Sequence, residues 1–165
     1  MNHSPFTRLL IVAGVAMIPL FAQSSAGAES PEALVKQVFA ALERRNSAAL
    51  RQLSISLDDF KKFVWPTFTT PPTGTNAEKF YKMYTASSGV GIDECLKQYG
   101  GRKLEVLKVT LNPSTKQTKS YRLMPGAQIA LRDESGQEKT VTMLGSVLER
   151  DGHYKVATYY VRPSH

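Results

Sequence analysis

The sequence predicts an α+β domain in which amino-terminal helices pack on a curved, antiparallel, four-stranded sheet. Three observations carry this. From Ser30 to Tyr99, apolar residues recur at helical spacing behind residues that cap helices. From Leu104 onward the apolar period falls to two, and polar turns interrupt it. The final stretch, Thr140 to His165, reads as a hairpin around Glu149-Arg150-Asp151-Gly152. Asp-Gly between two apolar runs signals a hairpin, because Gly takes positive φ without strain and Asp tolerates tight turns. Helices segregated from a run of antiparallel strands define the α+β class.

Residues 1–28 read as a secretory signal peptide. Arg8 supplies a positive start, Leu9 to Ala22 an apolar run, and Ala26-Gly27-Ala28 a small-x-small cleavage pattern. The run is shorter than the roughly 20 residues that a membrane span needs. No cysteine follows it to take a lipid, since the only one is Cys95. The expectation is cleavage after Ala28, one domain over 29–165, no stable membrane span after cleavage, and a periplasmic or secreted destination.

The formal net charge is +7, and all 14 acidic residues lie beyond Ala28, so the exported part is basic too. Its Lys and Arg are scattered, with short clusters only at Arg44-Arg45, Lys61-Lys62 and Arg102-Lys103. That pattern gives a solvated surface and argues against a nucleic-acid groove, which needs a basic stripe. One cysteine excludes an intramolecular disulfide, so packing alone holds the domain. Cys95 sits beside Asp93 and Glu94, which disfavour a thiolate, and reads as a small buried hydrophobe.

The elements follow in order. Ser30, Pro31 and Glu32 open a helix whose stripe is Leu34, Val35, Val38, Phe39, Ala41 and Leu42. Asn46 ends it and caps a second helix, Ser47 to Leu53. Ser56-Leu57-Asp58-Asp59 starts a third, running to about Val64 and ended by Trp65-Pro66. Phe63 to Phe68 could serve instead as a short extended segment, before a Pro- and Thr-rich loop to Gly74. Thr75-Asn76-Ala77-Glu78 matches a capping box for a long helix to Tyr99. Gly89 and Gly91 weaken its middle and allow a kink or a division into two helices. Strands over Leu104–Leu111 and Ser120–Leu131 follow, the second interrupted at Pro125-Gly126 by a bulge or bend. Asp133-Glu134-Ser135-Gly136 turns the chain into the final hairpin.

This order of elements resembles the nuclear transport factor 2-like superfamily, the cone-shaped fold shared with ketosteroid isomerase. The likeness rests on the pair Ala33–Leu53, the helix Asn76–Tyr99 and the meander Lys103–Val161. The stretch Gly145-Ser146-Val147-Leu148-Glu149-Arg150-Asp151-Gly152-His153-Tyr154-Lys155-Val156 looks like the terminal hairpin of exported bacterial members with no assigned activity. A clear strand between the second and third main helices is missing. A cystatin-like helix on a sheet is the competing fold. The resemblance implies a sheet wrapped round the long helix, leaving a conical cavity.

An isomerase of that fold needs a carboxylate in an apolar pocket and a Tyr donor for the developing oxyanion. The carboxylates available are Asp58 and Asp59, explained equally well as first-turn helix residues, and Asp93, expected to face water. His153 follows a turn glycine and is expected on the surface. The sequence holds no HExxH, CxxC, G-x-S-x-G, P-loop or GxGxxG. Three histidines, two of them near the termini, argue against a metal centre, and no cofactor is implied. The function expected is therefore an exported, non-catalytic binding or interaction module. It would take a small amphipathic ligand or an envelope protein through its cavity or an open sheet face. A cofactor-independent isomerase or hydrolase is the alternative. Trp65, Tyr81, Tyr84, Tyr121, Tyr159 and Tyr160 are the expected aromatic pocket walls, although Trp65 also suits a core anchor. The apolar content of both faces of Tyr154–Val161 is compatible with a homodimer.

Overall fold

The computed structural model describes residues 27–68, 70, 73–113 and 116–160. The expected signal segment lies outside them, apart from its last two residues. Helix α1 spans Pro31–Glu43, with the Ser30 hydroxyl accepting from the Ala33 N–H at 3.0 Å. Its six expected stripe residues are all buried. Arg45, in the left-handed region at φ 52°, ends the helix. Asn46 then caps α2, Ser47–Gln52, by accepting from the Ala49 N–H.

The third helix departs from expectation. A short α3, Leu57–Asp59, is closed by a reciprocal Ser56–Asp59 capping box. It runs on as a π turn, Phe60–Val64, and a 3-10 turn, Trp65–Thr67. Pro66 lies in the first turn of that last piece. Residues 63–67 are thus helical, and no strand forms in the stretch that could have supplied one. Only Phe68, which follows the 3-10 turn, takes an extended conformation.

Helix α4 is a single 23-residue element, Ala77–Tyr99. Asn76, not Thr75, is its cap, accepting from the Lys79 N–H at 2.9 Å. Neither glycine divides it. Gly91 is instead the point of closest approach to the sheet, where an added Cβ would lie 2.3 Å from the Tyr159 carbonyl oxygen. One turn earlier, the Ser88 hydroxyl accepts from the Tyr159 N–H at 3.2 Å.

The strands number seven among the described residues, in two antiparallel sheets rather than one of four. They are β1 (Glu105–Leu111), β2 (Lys116–Gln117), β3 (Arg122–Pro125), β4 (Ala127–Arg132), β5 (Glu138–Val141), β6 (Leu144–Arg150) and β7 (His153–Tyr159). The sheets run β1-β4-β5 and β2-β3-β6-β7. Residues 122–132 and 138–150 form one long hairpin, broken on both arms at the same level. Gly126 separates β3 from β4, opposite the Thr142-Met143 break between β5 and β6. The expected bend at Pro125-Gly126 therefore splits the sheet. β5 pairs with β4, so the terminal hairpin is β6 and β7 alone, turned at Asp151 (φ 52°) and Gly152 (φ 78°).

The β6–β7 hairpin is covered on both faces within the chain. Val147, Val156 and the neighbouring Met124 face the main core with α1 and the second half of α4. Leu148, Ala157 and Leu123 face a second cluster with Phe60, Trp65, Phe80, Tyr81, Tyr84 and Tyr121. Helix α4 thus serves both cores, with Ile92, Cys95 and Tyr99 in one and Phe80, Tyr81 and Tyr84 in the other. The free edge of β7 is also engaged. Ala28 exchanges both backbone bonds with Tyr154, while Leu53 and Ile55 bracket Val156. Among the described residues, no helix is long and apolar enough to cross a membrane.

Candidate functional site

Two cavities adjoin on the side of the molecule where α1, α2 and α3 meet β7. Short side chains open the larger one. Ala40 and Ala41 on α1 and Ala49 on α2 line a space of about 740 Å³, together with Leu53. Longer residues at those positions would close it. Gly27 and Ala28 wall one side, and Gln37, Arg44, Asn46 and Gln52 add polar groups. The smaller cavity, about 330 Å³, lies among α3, its π turn and the β6–β7 turn. Charged and polar groups, Lys62, Arg150, His153 and Lys155 with Asp58, Asp59 and Asp151, ring an apolar surface from Phe63, Val64 and Leu148.

Asp58, Asp59 and Lys155 line both spaces. The Lys155 ammonium donates to Asp59 Oδ2 at 2.7 Å, with the two side chains only 14% and 26% exposed. The Ser56 hydroxyl donates to the same oxygen at 2.8 Å, and Arg150 stands 3.9 Å from the other. Burial pushes the Asp59 carboxyl up, but Lys155 and Ser56 outweigh it and hold the group below its ordinary value of 3.8. Arg150 lies over the Phe63 ring at 3.5 Å, which fixes its position at the mouth. His153 is half-buried rather than exposed, and its Nδ1 is buried without a hydrogen-bond partner. His153 lines the smaller cavity opposite residues of α3 and its π turn, and a turn glycine in sequence says nothing about such neighbours.

The expected aromatic walls go elsewhere, and none of the six lines either cavity. Trp65, Tyr81, Tyr84 and Tyr121 come together in the second cluster around Phe60, which is 2% exposed. The Phe60 ring centroid lies 5.5 Å from that of Tyr81 and 6.3 Å from that of Trp65. Tyr81 donates its hydroxyl to the Ile55 carbonyl at 2.9 Å, and Tyr121 pairs with the Thr67 hydroxyl. Burial raises the Tyr84 hydroxyl well above its ordinary value. Tyr159 belongs to the main core, where it donates to the Leu50 carbonyl at 2.8 Å. Tyr160 is 52% exposed.

Of the expected carboxylates, Asp93 is exposed, while Asp59 is built into the wall described above. Cys95 is fully buried, as expected, and burial pushes its thiol up to about 12. Among the described residues, no group of three or more His, Cys, Asp or Glu could hold a metal ion. Comparison with protein-family models, with curated proteins and with solved structures found no match.

Proposed function

We propose that this chain is an exported, non-catalytic binding module of the nuclear transport factor 2-like kind, and that its ligand is a small amphipathic molecule. The observation that carries the reading is the adjoining pair of cavities. The larger sets Ala40, Ala41, Ala49 and Leu53 beside Gln37, Arg44, Asn46 and Gln52, the smaller sets Phe63, Val64 and Leu148 beside charged groups, and the Asp59–Lys155 pair lines both. A ligand with a short apolar body and a polar end fits that mixture of apolar and polar lining, because pockets combine apolar walls with few oriented polar groups.

Two features favour binding over an isomerase-type reaction. A general base for that chemistry has its pKa moved up toward neutrality by an apolar site. Asp59 is held in the opposite direction by its ion pair. The hydroxyls of Tyr81 and Tyr159 donate to backbone carbonyls, and that of Tyr121 pairs with Thr67. They tie secondary structure together and are not poised as oxyanion donors.

The test uses 1-anilinonaphthalene-8-sulfonate, an amphipathic anion whose fluorescence rises on leaving water. Saturable binding to the native protein is expected. Ala49→Phe, which fills the alanine-walled space, should weaken it at least tenfold, and Lys155→Gln should weaken it less. Affinity unchanged by Ala49→Phe in a folded variant would refute the assignment.

A further inference from the structure

We infer that the exported precursor is cut at the Ala26–Gly27 bond, so that Gly27 and Ala28 remain as the first residues of the folded domain. This rests on the export reading above. The small-x-small pattern Ala26-Gly27-Ala28 selects the next candidate bond, Ala28–Glu29, but cutting there would remove residues that the fold uses.

Ala28 is 3% exposed and belongs to the main core. Its N–H donates to the Tyr154 carbonyl at 2.9 Å, and the Tyr154 N–H donates back to Ala28 at 2.7 Å. β7 is the last strand of its sheet, so Ala28 is what pairs Tyr154 on that edge. Without it, both Tyr154 backbone groups lose their partner, and a wall of the larger cavity opens.

Gly27 carries a second, independent argument. A Cβ there would lie 2.9 Å from the Tyr154 carbonyl oxygen. The residue is therefore matched to β7, a constraint that a discarded leader would not have to meet. The preceding residues supply an equivalent recognition pattern two positions upstream. Ser24-Ser25-Ala26 again places small residues at the third and first positions before the cut.

The reaction is peptide hydrolysis by the leader peptidase of the exporting host. Water adds to the Ala26 carbonyl carbon and the C–N bond breaks. Ala26 leaves with the leader as a carboxylate, and the Gly27 nitrogen takes up the protons to become an ammonium. That new cation sits on the wall of the larger cavity, which Gly27 lines.

The full-length chain, expressed in an exporting bacterial host and purified from the envelope, is read by intact mass. A mass beginning at Gly27 is expected. A mass beginning at Glu29, or at any other processed position, overturns this inference while leaving export intact. A full-length mass beginning at Met1 overturns the export reading itself. Ser24→Glu separates the two bonds further, because it places a charge three residues before the Ala26–Gly27 cut but five before the other. Accumulation of uncut precursor is expected, and unimpaired processing in that variant would overturn the assignment.

Discussion

Gly91→Ala should destabilise the protein, although alanine is the better helix former. An added Cβ would lie 2.3 Å from the Tyr159 carbonyl oxygen and 2.6 Å from its carbonyl carbon. Both are backbone atoms, so no side chain can swing away. Restoring an ordinary contact of about 3.4 Å requires α4 and β7 to separate by roughly 1 Å. That movement stretches the 3.2 Å bond from the Tyr159 N–H to Ser88 past useful length. A buried N–H left unpaired costs about 1–3 kcal/mol, and the overpacking about 1–3 kcal/mol more. Alanine's helix propensity offsets about 1 kcal/mol. The net loss is about 3 kcal/mol, or a melting temperature lower by roughly 10 °C. Gly89→Ala is the control, because its Cβ would meet only the end of the Arg51 side chain at 3.6 Å. That variant should gain up to about 1 kcal/mol. Urea unfolding of both variants gives the two signs. A Gly91→Ala protein as stable as the parent would refute the close-approach reasoning.

Four further outcomes are expected. Phe60→Ala, which empties the centre of the aromatic cluster, should cost about 3–5 kcal/mol by urea unfolding and shift the emission of Trp65, whose ring centroid lies 6.3 Å from Phe60's. Asp59→Asn should cost about 1–2 kcal/mol at neutral pH, since it breaks a charge-assisted bond to Lys155. The Asp59 pKa is lowered in the fold, so its contribution is complete above the ordinary value of 3.8 and fades as pH falls through the folded value. The stability gap between parent and variant should therefore close only below about pH 4, and a gap independent of pH would contradict the pairing. Cys95, with its thiol at about 12, should resist iodoacetamide at pH 8 in the native protein and react fully in denaturant. Tyr159→Phe should cost about 1–2 kcal/mol, because the buried Leu50 carbonyl loses its best donor.

Periodicity and capping made most helix starts legible. Ser30, Asn46 and Ser56 cap the helices they were expected to cap, and the six-residue stripe of α1 is buried throughout. The misreadings share a cause, which is that tertiary contact decides what local pattern leaves open. Thr75 and Asn76 both suit a cap, and only the observed bond to Lys79 chooses Asn76. Gly91 breaks the helical rule locally because the sheet lies against it. The bend at Pro125-Gly126 was visible on one arm, whereas its counterpart at Thr142-Met143 carries no turn residues and was not. Five of the six aromatic residues expected around a ligand were drawn instead into packed cores, and Tyr160 stays exposed, since large rings bury area more effectively than they hold a space open. The cavity signal lay in smallness. Ala40, Ala41 and Ala49 occupy facing positions of α1 and α2, which could be read only once those helices were known to adjoin.

The proposed amphipathic ligand, placed between α1, α2 and β7, can be looked for without knowing its identity. The measurement is a native mass spectrum of the protein purified from the envelope of an exporting host. The expected spectrum shows an additional mass, released on denaturation, belonging to a small molecule with an apolar body and a polar end, and absent from the Ala49→Phe variant. A ligand-free spectrum at physiological expression, or an additional mass that Ala49→Phe retains, would contradict it.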